Sequence, residues 1–211
     1  MDIALAYQEK GSGEPLILLH GNGEDSSYFR HQIAHFQDRY RVIALDTRGH
    51  GKSPRGSAPF TIRQFARDLL DFLEIHGIAD AVLLGFSDGA NIAMRFAMEH
   101  PERVKALILN GGNLDPAGVK RSTQLPIEIG YRIARHFAAR SAEARKNAEM
   151  LGLMVNEPNI RCDELARITM PTLVLCAAST LLFARMAALF ANRAAAMRRH
   201  CPDCHGAKQA M

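Results

Sequence analysis

The stretch AVLLGFSDG, residues 81–89, constrains the fold more than any other part of the chain. Its apolar run stops abruptly at Ser87, which stands between Gly85 and Gly89. In the tight turn that this spacing predicts, side chains two residues either side of the serine would collide, and glycine lacks the Cβ that would clash. The segment DGANIAMRFAMEH then predicts a helix whose first amides point at the serine. A buried strand, a serine turn and a helix in this order indicate a nucleophile elbow rather than an ordinary Gly-Ser loop.

Strand and helix patterns alternate along the first half of the chain. Such alternation is typical of parallel strand pairing, in which each crossover is a helix. The sequence therefore predicts an α/β fold, with a mostly parallel sheet flanked by helices. The predicted strands cover residues 3–8, 15–19, 41–45, 81–86 and 104–110, and the predicted helices cover 26–37, 61–77 and the segment from Ser87 to Pro101.

The alternation stops after the fifth strand. From about 113 to 168 three helical patterns follow one another, at 124–137, 141–155 and 162–168, and PTLVLC at 171–176 then resumes the strand pattern. We therefore expect one α/β domain over residues 1–211, with a short helical lid inserted at about 113–168.

Composition excludes several classes of protein. The chain has 211 residues, is 47% hydrophobic and carries a net charge of +4. Its apolar runs are strand-sized, and no basic start leads into a long apolar segment, so we expect a cytoplasmic protein with no membrane partner. Its basic residues are not interleaved with aromatic ones, so we expect no nucleic-acid partner. The four cysteines are expected to be reduced thiols, and the oligomeric state stays open.

Two further glycine-rich loops follow predicted strands. HGNG, residues 20–23, comes directly after LILL and is the loop expected to supply an oxyanion-hole amide. We assign this donor to the backbone amide of Asn22 and the second to that of Asp88, whereas the alternative for HGNG is a plain glycine turn. DTRGHGKS, residues 46–53, contains His50, and for His50 and His20 a structural role is favoured over a catalytic one.

In order along the chain, HGNG, DTRGHGKS, GFSDGANIA, PERV and ITMPTLVL resemble the α/β-hydrolase superfamily over residues 1 to about 176. The segments GFSDG, NGGNLDPAGVK and GLMVNEPNI, together with the short lid, are similar to small bacterial-type, esterase-like hydrolases. The resemblance implies a serine nucleophile, an acid and a histidine, in that chain order, with Ser87 as the nucleophile. It also implies hydrolysis of a small carboxylic ester or related acyl compound through an acyl-enzyme, with no cofactor.

The acid is missing from its usual place in this pattern. Where the resemblance leads us to expect an aspartate, the chain has Ser179 and Thr180, and no Asp or Glu occurs from 165 to 202. Asp115, shortly after the strand VKALILN, is the candidate acid, and its alternative role is a polar residue that opens the lid before Pro116. The side chain of Asp88 is expected to favour the N-terminus of the helix that follows it.

The base is expected near the C-terminal end. The segment PDCHGAKQ is similar to the closing P-x-x-H loop of the superfamily, which makes His205 the candidate base and His200 the alternative. The preceding residues, 177–200, are rich in alanine and arginine and lack acids, and the family's closing helix is not visible before Met211. We therefore hypothesise that this segment is read out of frame, which the underlying DNA would test.

The tail also contains Cys201, Cys204 and His205 in the C-x-x-C-H spacing of haem attachment. Haem attachment requires export, and no export signal is visible. With His200 these residues could be considered for zinc, but adjacent ligands do not readily reach one tetrahedral ion. We expect no cofactor and no metal. Two functional hypotheses follow: a serine hydrolase, and a catalytically impaired member of the same fold that lacks a complete triad.

Overall fold

Six strands form one sheet in the order β1-β3-β2-β4-β5-β6 in the computed structural model, which describes residues 2–175. β1 runs antiparallel to β3, and every other neighbouring pair is parallel. The strands are β1 (Tyr7–Lys10), β2 (Glu14–Leu19), β3 (Tyr40–Leu45), β4 (Ala81–Phe86), β5 (Val104–Asn110) and β6 (Thr172–Leu175).

Five α-helices accompany the sheet within the described residues. They are α1 (Arg30–Phe36), α2 (Ile62–Ile75), α3 (Asp88–Glu99), α4 (Arg121–Phe137) and α5 (Ala142–Asn156). Thr61 caps α2 by accepting a hydrogen bond from the amide of Gln64, and the chain leaves this helix through Gly77, whose φ is 63°. The predicted α/β class, a mostly parallel sheet flanked by helices, is confirmed.

Alternate residues of the central strands enter two separate hydrophobic clusters. In β2, Leu16 and Leu18 pack on the side of α1, whereas Ile17 and Leu19 pack on the side of α2 and α3. Successive strand side chains point to opposite faces of a sheet, so a strand buried on both faces must be apolar at every position. This requirement explains the uninterrupted LILL and AVLL runs of the sequence.

Some predicted elements differ from the structure. The strand predicted over 3–8 is wrong in its bounds, since β1 begins at Tyr7; Ile3 and Leu5 are buried by packing rather than by strand pairing. The helix predicted over 26–37 is divided into a 3-10 turn, Ser26–Phe29, and α1. The helix predicted at 162–168 is only a 3-10 turn, Glu164–Arg167. The two helix errors concern short segments, in which tertiary contacts outweigh local helical preference.

The strand order places two loops at the centre of one edge of the sheet. From β2 the chain moves outward to β3 and then returns to β4 on the other side of β2. Loops at the carboxyl ends of β2 and β4 therefore flank the point where the winding direction changes, which is where open α/β sheets bind their ligands. HGNG follows β2 and Ser87 follows β4, so the fold brings these two motifs together.

A buried ion cluster fixes the loop after β3 to α2. The side chain of Arg48 is fully buried and donates two hydrogen bonds of 2.7 Å to the carboxylate of Asp68. Its Nη2, which also donates to Asp68, and its Nη1 donate to the carboxylate of Asp2, at 2.5 and 3.1 Å. Arg48 belongs to the motif DTRGHGKS, so its ion pairs with Asp68 and Asp2 hold this loop in place.

We expect Asp68→Asn to lower the free energy of unfolding by about 3 kcal/mol, because it removes the buried carboxylate that accepts two hydrogen bonds from Arg48 and leaves the partly exposed Asp2 as the remaining carboxylate of the cluster. Urea denaturation followed by circular dichroism measures the change. The double variant Arg48→Met/Asp68→Leu should recover part of the loss, since it removes the buried charge together with its partner.

The exposed pair of Arg41 and Glu9 provides a matched control, with a shortest distance of 2.8 Å. Glu9→Gln should cost less than about 1 kcal/mol, because water screens this pair. Equal losses for Asp68→Asn and Glu9→Gln would contradict the structural role given to the buried cluster.

Candidate active site

Ser87 lies at the tip of the turn between β4 and α3 in a strained backbone conformation. Its φ of 52° and ψ of −117° make it the one residue other than glycine with a positive φ between residues 2 and 175. Its amide donates to the carbonyl of Asn110 at the end of β5, and its own carbonyl accepts from Ala90 and Asn91 in the first turn of α3. Positive φ costs a residue with a Cβ about 1–3 kcal/mol, so surrounding contacts must hold the turn.

The two glycines of the motif are required by close backbone contacts. A Cβ on Gly85 would overlap the carbonyl of Gly89, and a Cβ on Gly89 would overlap the carbonyl oxygen of Leu19. The first turn of α3 therefore lies directly against the end of β2. This contact fixes the distance between the serine turn and the HGNG loop.

The HGNG loop lies between the serine turn and α5. Gly21 approaches the ring of Phe86 so closely that a Cβ would be 3.2 Å from it. The side-chain amide of Asn22 donates a 2.8 Å hydrogen bond to the carbonyl of Met150 in α5. Asn22 also lies close enough to the carboxyl of Asp88 to affect its pKa. The structure thus brings together Asn22 and Asp88, whose amides are the predicted oxyanion donors.

Two buried histidines hold the neighbouring loops. Nε2 of His20 accepts from the amide of Thr47, so Nδ1 carries the proton and donates to the carbonyl of Gly21 at 2.7 Å. Burial lowers the pKa of His20. Burial and the nearby His20 lower the pKa of His50 to about 4, so that both rings are neutral at physiological pH.

The carboxyl of Asp88 is buried beside the serine without a cation. Its Oδ1 accepts from the side chain of Asn91 at 3.3 Å, and its Oδ2 has no hydrogen-bond partner among residues 2–175. Burial raises the pKa of Asp88 to about 6, and the amides of Asn22 and Asn91 oppose this only in part. A buried carboxyl that has a raised pKa and no cation beside it is typical of a functional site.

Asn91 is a site residue that the sequence reasoning missed. It is fully buried, and its side chain exchanges two hydrogen bonds with Asn113, at 2.9 and 3.0 Å. This link ties the first turn of α3 to the loop after β5. The available signal was the amide side chain in the mostly apolar stretch ANIAMRFAM, since a polar side chain on the buried face of a helix needs a partner.

The structure describes the proposed acid, Asp115, but not the proposed base, His205. Asp115 is exposed, and its Oδ1 accepts a 2.6 Å hydrogen bond from the amide of Ala117, which caps the 3-10 turn Pro116–Gly118. Asn113 donates from its side chain to the carbonyl of Asp115. His205, together with His200, Ser179, Thr180, Cys201 and Cys204, lies outside the described residues.

Among the contacts that join α5 and the segment after it to the rest of the fold, three lie near the HGNG loop or α2. One is the hydrogen bond from Asn22 to Met150. In the second, Arg55 makes a bidentate ion pair with Glu149, at 2.7 and 2.8 Å. In the third, the half-buried carboxylate of Glu157 accepts a 2.6 Å hydrogen bond from the amide of Ile62 at the start of α2. The helical segment between β5 and β6 is therefore anchored beside the HGNG loop.

Between residues 2 and 175, no group of three or more His, Cys, Asp and Glu side chains is arranged to hold a metal ion. In the same part of the chain, no helix is both long enough and apolar enough to cross a membrane.

Asp88→Asn should raise the free energy of unfolding by about 1–3 kcal/mol at neutral pH, because ionised Asp88 is buried without a cation. The folded-state pKa, about 6, lies above the ordinary value of 3.8. The destabilisation by Asp88 is therefore present above pH 6 and is relieved as the pH falls through 6 toward 4. The advantage of the variant should shrink accordingly in urea denaturation across this range.

His50 provides the opposite pH dependence as a control. Its pKa in the folded protein lies below the ordinary 6.5, so the wild type loses the contribution of His50 as the pH falls from 6.5 toward 4. His50→Gln should flatten the acid side of the stability profile, whereas Asp88→Asn should steepen it. A stability gain for Asp88→Asn that is constant over pH would contradict the environment described for this carboxyl.

Comparisons with known proteins agree with this geometry. The family profile described as alpha/beta hydrolase fold matches residues 14–149. The 3-oxoadipate enol-lactonase 2 of Acinetobacter baylyi is 36% identical over 110 residues, which are 51% of this chain and 41% of that protein. The (E)-2-((N-methylformamido)methylene)succinate hydrolase of the same species is 34% identical over 106 residues, 50% of this chain and 40% of that protein. The chain thus spans about two fifths of the length of these curated relatives.

Solved structures share the fold at low sequence identity. A hydrolase from Pseudomonas aeruginosa PA01 superimposes with a TM-score of 0.68 at 23% identity, covering 90% of this chain and 82% of that one. An esterase from Exiguobacterium antarcticum gives a TM-score of 0.67 at 21% identity, covering 82% and 76%. The profile match covers more than half of the chain, and the strand order and serine turn agree with it. The chain belongs to the α/β-hydrolase fold family.

Proposed function

We propose that this chain is a serine hydrolase that cleaves small carboxylic esters or related acyl compounds through an acyl-enzyme. The observation that carries the proposal is the backbone of Ser87, with φ 52° and ψ −117° at the tip of a turn held by two obligatory glycines. Strain at a polar residue, located at the point where α/β sheets bind ligands, favours a nucleophile over a structural serine. The relatives named as an enol-lactonase and a hydrolase support the same class of reaction.

In the proposed reaction the hydroxyl oxygen of Ser87 attacks the acyl carbon while His205 takes the hydroxyl proton. The backbone amides of Asn22 and Asp88 stabilise the negative charge on the carbonyl oxygen, each contributing about 3–4 kcal/mol by analogy with other oxyanion holes. His205 then protonates the leaving alcohol. Water attacks the acyl-enzyme in the same manner, releases the acid and restores Ser87.

Asp115, on the loop after β5, is the acid of this proposal, and its role is to hold the imidazole of His205. The link from Asn91 to Asn113 connects this loop to the serine turn. In the same proposal α4 and α5 form the lid of a single domain, with the bond from Asn22 to Met150 joining lid and oxyanion loop. The substrate is a small molecule, no cofactor takes part, and we place the reaction in the cytoplasm.

A second candidate function is a catalytically impaired member of the family that retains a binding site. The observation that favours it is the carboxylate of Asp115, which is exposed and already accepts a hydrogen bond from the amide of Ala117. Without an acid that orients the histidine, turnover would fall by about 10⁴, although the oxyanion hole would keep some residual catalysis.

Hydrolysis of p-nitrophenyl acetate separates the two candidates. For the serine hydrolase, Ser87→Ala should lower kcat/KM by about 10³-fold or more, because the nucleophile is lost. Ser122→Ala is the matched control, since Ser122 is exposed on α4, and it should hydrolyse the ester like the wild type. Equal rates for wild type and Ser87→Ala would overturn the enzyme proposal and leave the impaired member.

A further inference from the structure

The outer face of α4 carries a row of exposed apolar side chains, which we name the α4 stripe: Leu125, Ile129, Ile133 and Phe137. Their exposed fractions are 43, 50, 56 and 46%. Residues four apart on a helix are rotated by only about 40°, so these side chains share one face over roughly 18 Å. They are four of the nine large hydrophobic residues that are exposed between residues 2 and 175.

The opposite side of α4 is the side that packs. Gln124 is buried and donates from its side chain to the carbonyl of Met154 in α5. The ring of Tyr131 would be 3.3 Å from a Cβ on Gly152 in α5. Helix α4 is therefore held by α5 on one side. By helix geometry Leu125 and Ile129 lie away from that contact, whereas Ile133 and Phe137 border the groove between the two helices. A row of this kind on a helix that is already packed elsewhere is typical of an interaction surface.

Positive charge borders the α4 stripe. Arg121, Arg132 and Arg135 follow one edge of the row by helix geometry, and all three are exposed. Glu128 lies on the same edge and forms an ion pair with Arg121 at 2.9 Å, so Arg132 and Arg135 are the arginines taken as the charged border. Residues 120–146 contain seven lysines and arginines against two glutamates, whereas the net charge of the whole chain is only +4. The segment that carries the stripe is thus one of the two basic segments of the sequence, the other being residues 177–211.

A groove continues the apolar surface beside the α4 stripe. It encloses about 470 Å³ between α4 and α5. Its walls include Ile133, Phe137, Met150 and Leu151. An acyl chain is the kind of group that such a mostly apolar groove accepts.

We propose that the α4 stripe docks on an anionic phospholipid bilayer, with α4 parallel to the surface. The apolar row enters the boundary between headgroups and acyl chains, and the bordering arginines bind phosphate groups. A single convex row needs no complementary pocket when it enters a fluid interface. A second copy is disfavoured, because an antiparallel twofold pairing of two stripes would bring the same arginines against each other.

The proposal differs from the expectation from sequence that the protein has no membrane partner, which rested on the lack of a segment long enough to span a bilayer. It concerns attachment to a surface, and it does not depend on hydrolase activity. Sedimentation of the full chain with vesicles tests it, using phosphatidylcholine alone and an equal mixture of phosphatidylcholine and phosphatidylglycerol. We expect binding to the mixed vesicles at low salt, weaker binding at high salt, and little binding to the neutral vesicles.

Two variants and their matched controls locate the surface. Ile129→Glu/Ile133→Glu and Arg132→Gln/Arg135→Gln should each weaken binding by about tenfold or more. Ile75→Glu, at a residue 70% exposed on α2, and Arg39→Gln/Arg67→Gln, at exposed arginines elsewhere, should bind like the wild type. Circular dichroism confirms that each variant is folded, and the arginine variants keep the test valid if the glutamates unfold α4.

Several results would overturn the proposal. One is that the protein binds neither kind of vesicle, and another is that it binds both equally well. The third is that the glutamate and arginine variants of the stripe bind as the wild type does. Sedimentation velocity supplies one more test. Dimerisation that the glutamate variant abolishes would assign the α4 stripe to a second copy of this chain instead of a membrane.

Discussion

The contact between Gly89 and the carbonyl oxygen of Leu19 is the constraint on which the rest of the site depends. It brings the N-terminus of α3 against the end of β2, closer than any side chain would permit. Because of this contact, the turn at Ser87 and the HGNG loop occupy adjacent positions above the centre of the sheet. The positive φ of Ser87 is held by the same packing, together with hydrogen bonds to Asn110 and within the first turn of α3. A local steric requirement thus determines where the proposed nucleophile lies.

Most ionisable groups around this centre have hydrogen-bond or ion-pair partners, and one carboxyl lacks a cation. Arg48 pairs with Asp68 and Asp2, and the neutral ring of His20 is hydrogen-bonded at both nitrogens, so these groups in the loops beneath the site have partners. Asp88 differs, because its carboxyl is buried without a cation, and burial raises its pKa. Natural proteins accept such a loss of stability mainly at functional sites. Its position next to Ser87 fits that pattern.

Much of the fold was predictable, because its signals are local. The buried runs LILL and AVLL, the cap at Thr61 and the paired glycines around Ser87 each have one physical interpretation, and each agrees with the structure. The bounds of β1 and the division of the first helix were not predictable, since Ile3, Leu5 and Phe29 are buried by contacts distant in sequence. The role of Asn91 was likewise hidden, because its partner Asn113 lies in another element. Ion pairs such as Arg55 with Glu149 join residues that no local pattern relates.

The central claim is that the fold makes Ser87 an activated nucleophile. A fluorophosphonate probe reports this most directly, because an activated serine displaces fluoride from phosphorus and retains the phosphonyl group. The native protein should gain one adduct, mapped by mass spectrometry of its peptides to Ser87, and both heat-denatured protein and the Ser87→Ala variant should gain none. A native protein that is not labelled, or labelling that persists in Ser87→Ala, would contradict the claim.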